Sequence, residues 1–179
     1  WRTCALIKQS DSIIYIVEGE TEKKLITAIK NSYIYSGKIY VRNLVQNDVT
    51  NTLSRLIKPN SIIIIVFDTD VNDEESTNKL GKNIRGLSKH KSVKKVILIP
   101  QISNLEEELV YSTNMKQIKE FTKSKSNKEF KSDFLSMTDS NVPKKLNEVN
   151  FDIKRLWGRN ATNRYKIFTN ESEYIKKKY

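Results

Sequence analysis

The stretch I-I-I-I-V-F-D-T-D-V at residues 62–71 decides the fold of this chain. Its six consecutive apolar residues predict a strand that runs through the middle of the domain, because a strand covered on both faces needs no polar alternation. The strand is followed by Asp68 and Asp70, whose like charges repel each other. Carboxylates held this close together usually share a positive partner, and a divalent metal ion is the first candidate.

Apolar, β-branched runs recur along the first part of the chain and alternate with helical patterns. The predicted strands are 12–17, 38–44, 61–67 and 93–99. The predicted helices are 21–34, 49–57 and 104–112, and residues 78–87 are predicted to be either helix or loop. We expect the fourth strand to stop at Pro100. Strands that alternate with helices need crossover connections, so the pattern predicts an α/β fold with a parallel, Rossmann-like sheet of about four strands flanked by helices.

The pattern changes near residue 112. Residues 1–112 are predicted to form a compact α/β domain, and residues 113–179 a basic, mainly helical C-terminal extension. The extension is rich in Lys and Ser up to residue 148, and its last part mixes R-L-W-G-R-N and N-R-Y-K-I-F with a basic tail. A chain of 179 residues is long enough to bury a core without disulfides.

The chain is strongly basic, with 32 Lys and Arg against 21 Asp and Glu, a net charge of +11. Residues 1–112 carry 16 basic and 13 acidic residues, or +3, whereas residues 113–179 carry 16 and 8, or +8. This balance favours a polyanionic partner, nucleic acid before membrane. The alternative explanation is an A- and T-rich genome, which would make Lys, Ile and Asn abundant together.

Several features bear on the compartment. No apolar run approaches the roughly 20 residues that a membrane-spanning helix needs, so we expect no membrane partner. The one cysteine, Cys4, cannot form an internal disulfide, which favours a reducing, cytoplasmic location. The N-terminus shows neither an initiating Met nor a signal-peptide pattern, and this predicts a processed or truncated chain.

The acidic residues converge if the sheet has the strand order 2-1-3-4. The first and third strands are then neighbours, and ligands bind in the crevice at their carboxyl ends. Glu18 follows the first predicted strand, and Asp68 and Asp70 follow the third. Three carboxylates are hard oxygen ligands of the kind that Mg²⁺ or Mn²⁺ prefers.

Two motifs on these strands resemble the Toprim domain that topoisomerases, bacterial primases and small nucleases share. They are I-V-E-G-E-T-E at residues 16–22 and V-F-D-T-D at residues 66–70, and the resemblance covers roughly residues 12–112. It implies that Glu18 is the general acid or base, or a metal ligand, and that Asp68 and Asp70 hold Mg²⁺ or Mn²⁺. It also implies that Gly19 permits a tight turn and the approach of a phosphate.

By its size the chain is most similar to stand-alone Toprim nucleases of the RloB and OLD type, many of which are associated with phage defence. The resemblance therefore implies a metal-dependent nuclease that cleaves DNA or RNA. The S-G-K at 36–38 and L-G-K-N at 80–83 lack the glycine spacing of a phosphate-binding loop, so any ATPase partner would act in trans.

Further acidic residues have competing interpretations. Toprim domains often have another acidic residue after the fourth strand, so the resemblance makes Glu107, or its neighbour Glu106, a candidate metal ligand. The spacing from Asn104 to Glu107 also fits an N-terminal helix cap. Glu20 and Glu22 fall in the first turn of a predicted helix, where acids interact favourably with the helix dipole.

The C-terminal extension contains candidate nucleic-acid-binding residues. Its cations and aromatics lie close together in the sequence: Arg155, Trp157, Arg159, Arg164 and Tyr165. Aromatic rings can stack on bases while arginines contact phosphates. For the two aromatic residues, burial in the core is the competing interpretation.

Two other functions fit parts of the pattern. A non-catalytic module that binds nucleic acid or a protein partner would explain the basic extension, with Asp68 and Asp70 as a degenerate site. A haloacid-dehalogenase-type phosphatase would use Asp68 as nucleophile and Asp70 as acid or base. That family needs a later acidic pair at a strand end, and no such pair follows a hydrophobic run after residue 99.

Overall fold

A four-stranded, all-parallel sheet with the order β2-β1-β3-β4 forms the centre of the molecule. The computed structural model describes residues 7, 8 and 10–177. The strands are β1 (Ser12–Val17), β2 (Lys38–Val41), β3 (Ser61–Asp68) and β4 (Val93–Gln101). The α/β fold with a parallel, Rossmann-like sheet flanked by helices is therefore confirmed.

The apolar run of β3 is buried on both faces of the sheet because its side chains alternate in direction. Ile62, Ile64 and Val66 join one core cluster, and Ile63, Ile65 and Phe67 join the other. The first cluster also contains Leu25 and Leu109, and the second cluster also contains Leu53 and Leu80. Each face of β3 thus has its own layer of helices.

The first three helices connect consecutive strands of the sheet, and the later helices follow β4. They are α1 (Glu20–Ile29), α2 (Asn51–Arg55), α3 (Glu74–Ser88), α4 (Leu105–Tyr111), α5 (Lys119–Thr122), α6 (Phe130–Ser136) and α7 (Asn141–Glu148), with 3₁₀ turns at Arg164–Ile167 and Ser172–Tyr174. Helix α3 begins four residues earlier than predicted because the Asp73 side chain accepts a hydrogen bond from the amide of Ser76 and caps the helix.

The predicted end of the fourth strand was wrong. Strand β4 continues through Pro100 to Gln101. Strand β4 lies at the edge of the sheet. Because the backbone N–H groups of successive residues point to opposite sides of a strand, Pro100 lacks its N–H on the outer side, where no neighbouring strand would accept a hydrogen bond from it. On that same outer side, the C-terminal segment pairs with Leu98, whose carbonyl accepts from the amide of Glu171 at 2.9 Å.

The second strand is shorter than predicted. Strand β2 ends at Val41, although the amide of Arg42 still donates to the carbonyl of Val17 at 2.7 Å. The chain then turns at Asn43, whose side-chain oxygen accepts from the amides of Val45 and Gln46. These local bonds replace the sheet ladder and end the strand.

Residues beyond 112 pack directly against the α/β part of the chain. Phe121, Phe130 and Phe134 are fully buried, make ring contacts with one another, and belong to the same core cluster as Leu25 of α1. The division at residue 112 stays a prediction.

In the described part of the chain, no helix is both long and apolar enough to cross a membrane. Cys4, on which the prediction of a reducing compartment rests, lies outside the described residues.

Two glycines, Gly37 and Gly86, differ in the space that surrounds them. A Cβ at Gly37 would lie 2.7 Å from the backbone oxygen of Ile13, which strand β1 holds in place, whereas a Cβ at Gly86 in α3 would meet nothing within 4 Å. We expect Gly37→Ala to destabilise the fold by about 1–3 kcal/mol. Gly86→Ala should stabilise it by about 0.5–1 kcal/mol because alanine favours the helix.

Urea unfolding of both variants checks this pair. Equal unfolding midpoints for Gly37→Ala and the parent would contradict the close contact between Gly37 and β1.

Candidate functional site

The structure brings Glu18 and Asp68 together at the carboxyl ends of two neighbouring strands. Glu18 follows β1 directly, and Asp68 is the last residue of β3. The Oε1 atom of Glu18 accepts a hydrogen bond from the backbone amide of Asp68 at 3.1 Å. The topology alone therefore places two acidic side chains, 50 residues apart in sequence, in one crevice.

Each of these carboxylates is held by a side-chain amide from the outer strand beside it. Asn43, two residues after β2, donates from Nδ2 to Oε2 of Glu18 at 2.9 Å. Gln101, the last residue of β4, donates from Nε2 to Oδ1 of Asp68 at 2.6 Å. All four strand ends thus contribute a polar residue to the same edge of the sheet.

The electrostatic state of the pair follows from its burial. Burial raises the pKa of Glu18 to about 7, and the negative charges of Glu22 and Asp70 act in the same direction. Burial also raises the pKa of Asp68 to about 8, helped by the charge of Glu18, while the hydrogen bond from Gln101 opposes the rise. Within the described residues, no Lys or Arg forms a salt bridge with Glu18 or Asp68.

Asp68 and Asp70 are separated by a residue that has a structural role. The hydroxyl of Thr69 donates to the carbonyl of Gln101 at 2.8 Å and accepts from the amide of Ser103 at 3.1 Å. Thr69 therefore ties the ends of β3 and β4 together. Asp70 is exposed, and its charge contributes to the raised pKa values of Glu18 and Asp68.

A fourth carboxylate, Glu22, lies beside this pair. It is buried in the first turn of α1, and its charge acts on both Glu18 and Asp68. A Cβ on Gly19 would lie 2.9 Å from Oε2 of Glu22, so a larger residue there would displace the end of the Glu22 side chain. Gly19 has φ of −143°, an ordinary extended conformation, and lies in the two-residue connection from β1 to α1. That it permits the approach of a phosphate stays a prediction.

The three glutamates of α4 have three different environments. Glu107 is exposed, and its backbone amide donates to the capping side chain of Asn104, as the capping interpretation predicted. Glu106 forms a salt bridge of 3.2 Å with Lys131. Glu108 is fully buried and accepts from the amides of Ile102 and Trp157. None of the three appears among the charges that act on Glu18 or Asp68.

Lys131 in α6 brings a positive charge near the acidic residues. Its ammonium interacts electrostatically with Glu106, and also with Glu22 and Asp68. The side chain is 64% exposed, so it can reach a ligand at the mouth of the crevice.

The predicted nucleic-acid-binding residues differ in how far they are exposed to solvent. Arg155 and Arg159 both lie over the ring of Tyr111, with guanidinium carbons 4.7 and 4.1 Å from its centroid. Arg159 also pairs with the buried Glu108 at 3.0 Å. Arg164 is exposed near the loop after β3, where its amide donates to Asn72.

Trp157 is a core residue in the structure. It is 1% exposed, and its indole Nε1 donates to Oε1 of Gln101 at 3.0 Å. A ring in this position cannot stack on a base, so the core interpretation describes Trp157, and Tyr165, which is fully buried, behaves in the same way.

Two cavities lie away from the acidic pair. One of about 380 Å³ lies between the loop at Asp48 and the end of α3 near His90, and one of about 230 Å³ lies between α1 and the residues after α6. Neither is lined by Glu18, Asp68 or Asp70. The candidate site is instead the crevice at Glu18 and Asp68, because burial and neighbouring negative charges together raise the pKa values of these two residues.

The donor set can be compared with what a metal ion requires. Among the described residues, no group of three or more His, Cys, Asp and Glu side chains is arranged to hold a metal ion. Mg²⁺, however, commonly takes only one or two carboxylates and completes its octahedron with water and substrate phosphate. Glu18 and Asp68 offer oxygen ligands that form no salt bridge with the described residues, and Oδ2 of Asp68 accepts no hydrogen bond from them. The residues fit a hydrated Mg²⁺ or Mn²⁺.

Sequence reasoning did not identify Asn43, Gln101, Glu22 or Lys131 as site residues. A signal was present for the first two, because the rule that selected Glu18 and Asp68 applies equally to the carboxyl ends of β2 and β4. Lys131 lies on a helix whose docking position no local pattern indicates.

Comparisons of the chain with protein-family models, curated proteins and solved structures found no match. The function therefore has to be inferred from the chemistry of the site itself.

The raised pKa values predict a pH dependence of stability in the metal-free protein. Glu18 and Asp68 hold protons more tightly when folded than when unfolded, so the penalty for ionising them is absent at low pH and grows as pH rises. We expect the free energy of unfolding, measured with EDTA, to fall between about pH 5 and about pH 8.

Asp68→Asn should flatten this fall, because it removes one titrating group and the repulsion that Glu18 experiences, while the amide oxygen can still accept from Gln101. Parallel stability curves for the variant and the parent across this pH range would contradict the assigned pKa values.

Proposed function

We propose that the protein is a metal-dependent nuclease that cleaves phosphodiester bonds of nucleic acid. The observation that supports this most is the contact between Glu18 and Asp68, two half-buried acidic residues with raised pKa values that form no salt bridge with the described residues. Burying acidic groups without compensation is costly, so their retention at a ligand-binding edge favours a role with an external cation.

The proposed roles follow the geometry. Asp68 and Asp70 hold a divalent cation, with Glu18 close enough to share it. When bound, Mg²⁺ or Mn²⁺ would stabilise the negative charge that develops on a phosphodiester during cleavage. Asn43 and Gln101 fix the Glu18 and Asp68 side chains through their amide groups.

Glu18 is the proposed proton carrier. A general acid or base works best when its pKa lies near the working pH, and burial raises that of Glu18 to about 7. Its two oxygens accept from a backbone amide and from Asn43, which orients the carboxyl group at the crevice.

The basic residues provide the proposed contacts with the nucleic-acid backbone. Lys131 interacts with the acidic site and is largely exposed, and Arg155 and Arg164 are exposed in the C-terminal segment. Cations beside an acidic site allow a polyanion to approach carboxylates that would otherwise repel it. DNA and RNA share this backbone chemistry.

The wider setting comes from the resemblance and the composition alone. We propose a cytoplasmic protein with a role in phage defence, working with an ATPase that acts in trans.

Cleavage assays on plasmid DNA and total RNA with Mg²⁺, Mn²⁺ or EDTA test the proposal. Glu18→Gln should reduce the cleavage rate by about 100-fold or more, the range for general acid–base catalysis, and Asp68→Asn and Asp70→Asn should abolish it. Glu74→Gln removes an exposed carboxylate from the first turn of α3 and should cleave like the parent.

Two outcomes would overturn the nuclease proposal. Tight nucleic-acid binding without products in any metal would identify a non-catalytic module, and parental cleavage by Glu18→Gln would remove the proton carrier. Glu107→Gln extends the series, because loss of metal binding in this variant would make Glu107 a ligand.

Salt dependence tests the basic contacts. Replacing Arg155 and Arg164 by Gln should weaken nucleic-acid binding and lower the slope of log affinity against log salt by about 0.7–0.9 per lost phosphate contact. Arg159 is left unchanged because its loss would strand the buried Glu108.

Fluorescence anisotropy with a labelled oligonucleotide gives the slopes. The double variant Lys58→Gln/Lys89→Gln removes the same charge from exposed positions of the α/β part and should keep the parental slope. Identical slopes for both double variants would mean that Arg155 and Arg164 do not contact phosphates.

A further inference from the structure

A buried hydrogen-bonded chain links the C-terminal segment to Asp68. The indole Nε1 of Trp157 donates to Oε1 of Gln101 at 3.0 Å, and Nε2 of Gln101 donates to Oδ1 of Asp68 at 2.6 Å. Gln101 is fully buried and Trp157 is 1% exposed, so water does not compete for the bond between them, whereas Asp68 is half-buried.

The orientation of the Gln101 amide is determined by its two partners. An indole nitrogen can only donate, so it needs the amide oxygen of Gln101 as its acceptor. The amide oxygen of Gln101 must therefore face Trp157, and its NH₂ group must face Asp68. Without the indole N–H, the side-chain amide of Gln101 could flip and present its oxygen to the carboxylate of Asp68.

Trp157 is itself held at its backbone. Its amide donates to the buried Glu108 at 3.0 Å, and its carbonyl accepts from Asn170 and from Ser172, both at 2.7 Å. Its φ of 55° is a left-handed conformation that such contacts must maintain in a bulky residue. The indole is therefore fixed in position before any ligand binds.

We propose that Gln101 and Trp157 are positioning residues: Trp157 orients the Gln101 amide, and Gln101 holds Asp68 for a divalent cation. This inference rests on the proposed function, and it adds residues from β4 and from the C-terminal segment to the site. It predicts that losing either partner weakens metal binding although neither touches the cation.

Calorimetry of Mn²⁺ binding tests the chain without any activity measurement. Gln101→Met removes the donor to Asp68 at similar volume, and Trp157→Phe removes the indole N–H but keeps an aromatic ring. Each should raise the Mn²⁺ dissociation constant by about 10-fold or more, the usual effect of losing a group that orients a metal ligand.

The double variant provides a readout that a merely structural role would not give. If Trp157 acts only through Gln101, the double variant should bind Mn²⁺ as weakly as Gln101→Met alone, within about twofold. Tyr15→Phe is the matched control, because it removes a hydrogen bond of another buried side chain, from the Tyr15 hydroxyl to the carbonyl of Tyr35, and should leave Mn²⁺ affinity unchanged.

The outcomes separate this inference from the proposed function. Parental Mn²⁺ affinity in Gln101→Met overturns the positioning role while the nuclease proposal stands. Independent, multiplying losses in the double variant overturn the action of Trp157 through Gln101. A parent protein that binds no Mn²⁺ overturns both the nuclease proposal and this inference.

A second measurement covers the case in which Trp157→Phe does not fold. In the parent protein, the indole N–H resonance of Trp157, assigned with Trp1→Phe, should shift as Mg²⁺ saturates the site, and the shift should disappear in Gln101→Met. An indole resonance that stays in place at saturating Mg²⁺ overturns the proposed chain.

Discussion

The contact between Glu18 and Asp68 is the constraint on which the rest of the site depends. A parallel sheet with β1 beside β3 cannot avoid bringing the residues after these strands together, and here both are acidic. Burial raises both pKa values, so ionising this pair is less favourable in the folded chain than in water. The surrounding amides, from Asn43 and Gln101, stabilise the ionised forms without neutralising them.

The C-terminal segment is part of this arrangement because it reaches the site through several elements. Trp157 contacts Gln101, Asn163 donates to the carbonyl of Thr69 at 2.8 Å, and the hydroxyl of Tyr165 donates to the carbonyl of Val71 at 2.9 Å. The same segment pairs with the edge of β4 at Glu171. The loop that carries Asp70 is thus held from both sides, by β4 and by the C-terminal segment.

The fold could be predicted further than the site. The alternation of apolar runs with helical patterns determined the parallel sheet, and the strand order placed Glu18 beside Asp68, because these features depend on local periodicity and on topology. Trp157 could not be assigned in this way. Its burial depends on Gln101 and Glu108, and contacts between residues about 50 apart leave no periodic signal. Pro100 misled the prediction because an edge strand tolerates a proline that a central strand would not.

We propose that a divalent cation binds where β1 and β3 end, and paramagnetic broadening by Mn²⁺ would locate it. Substoichiometric Mn²⁺ added to ¹⁵N-labelled protein should broaden the amide resonances of Gly19, Thr69 and Asp70 first, while Gly86 in α3 should stay sharp. Broadening centred on the exposed glutamates of α3 or α4, or none at millimolar Mn²⁺, would contradict the account.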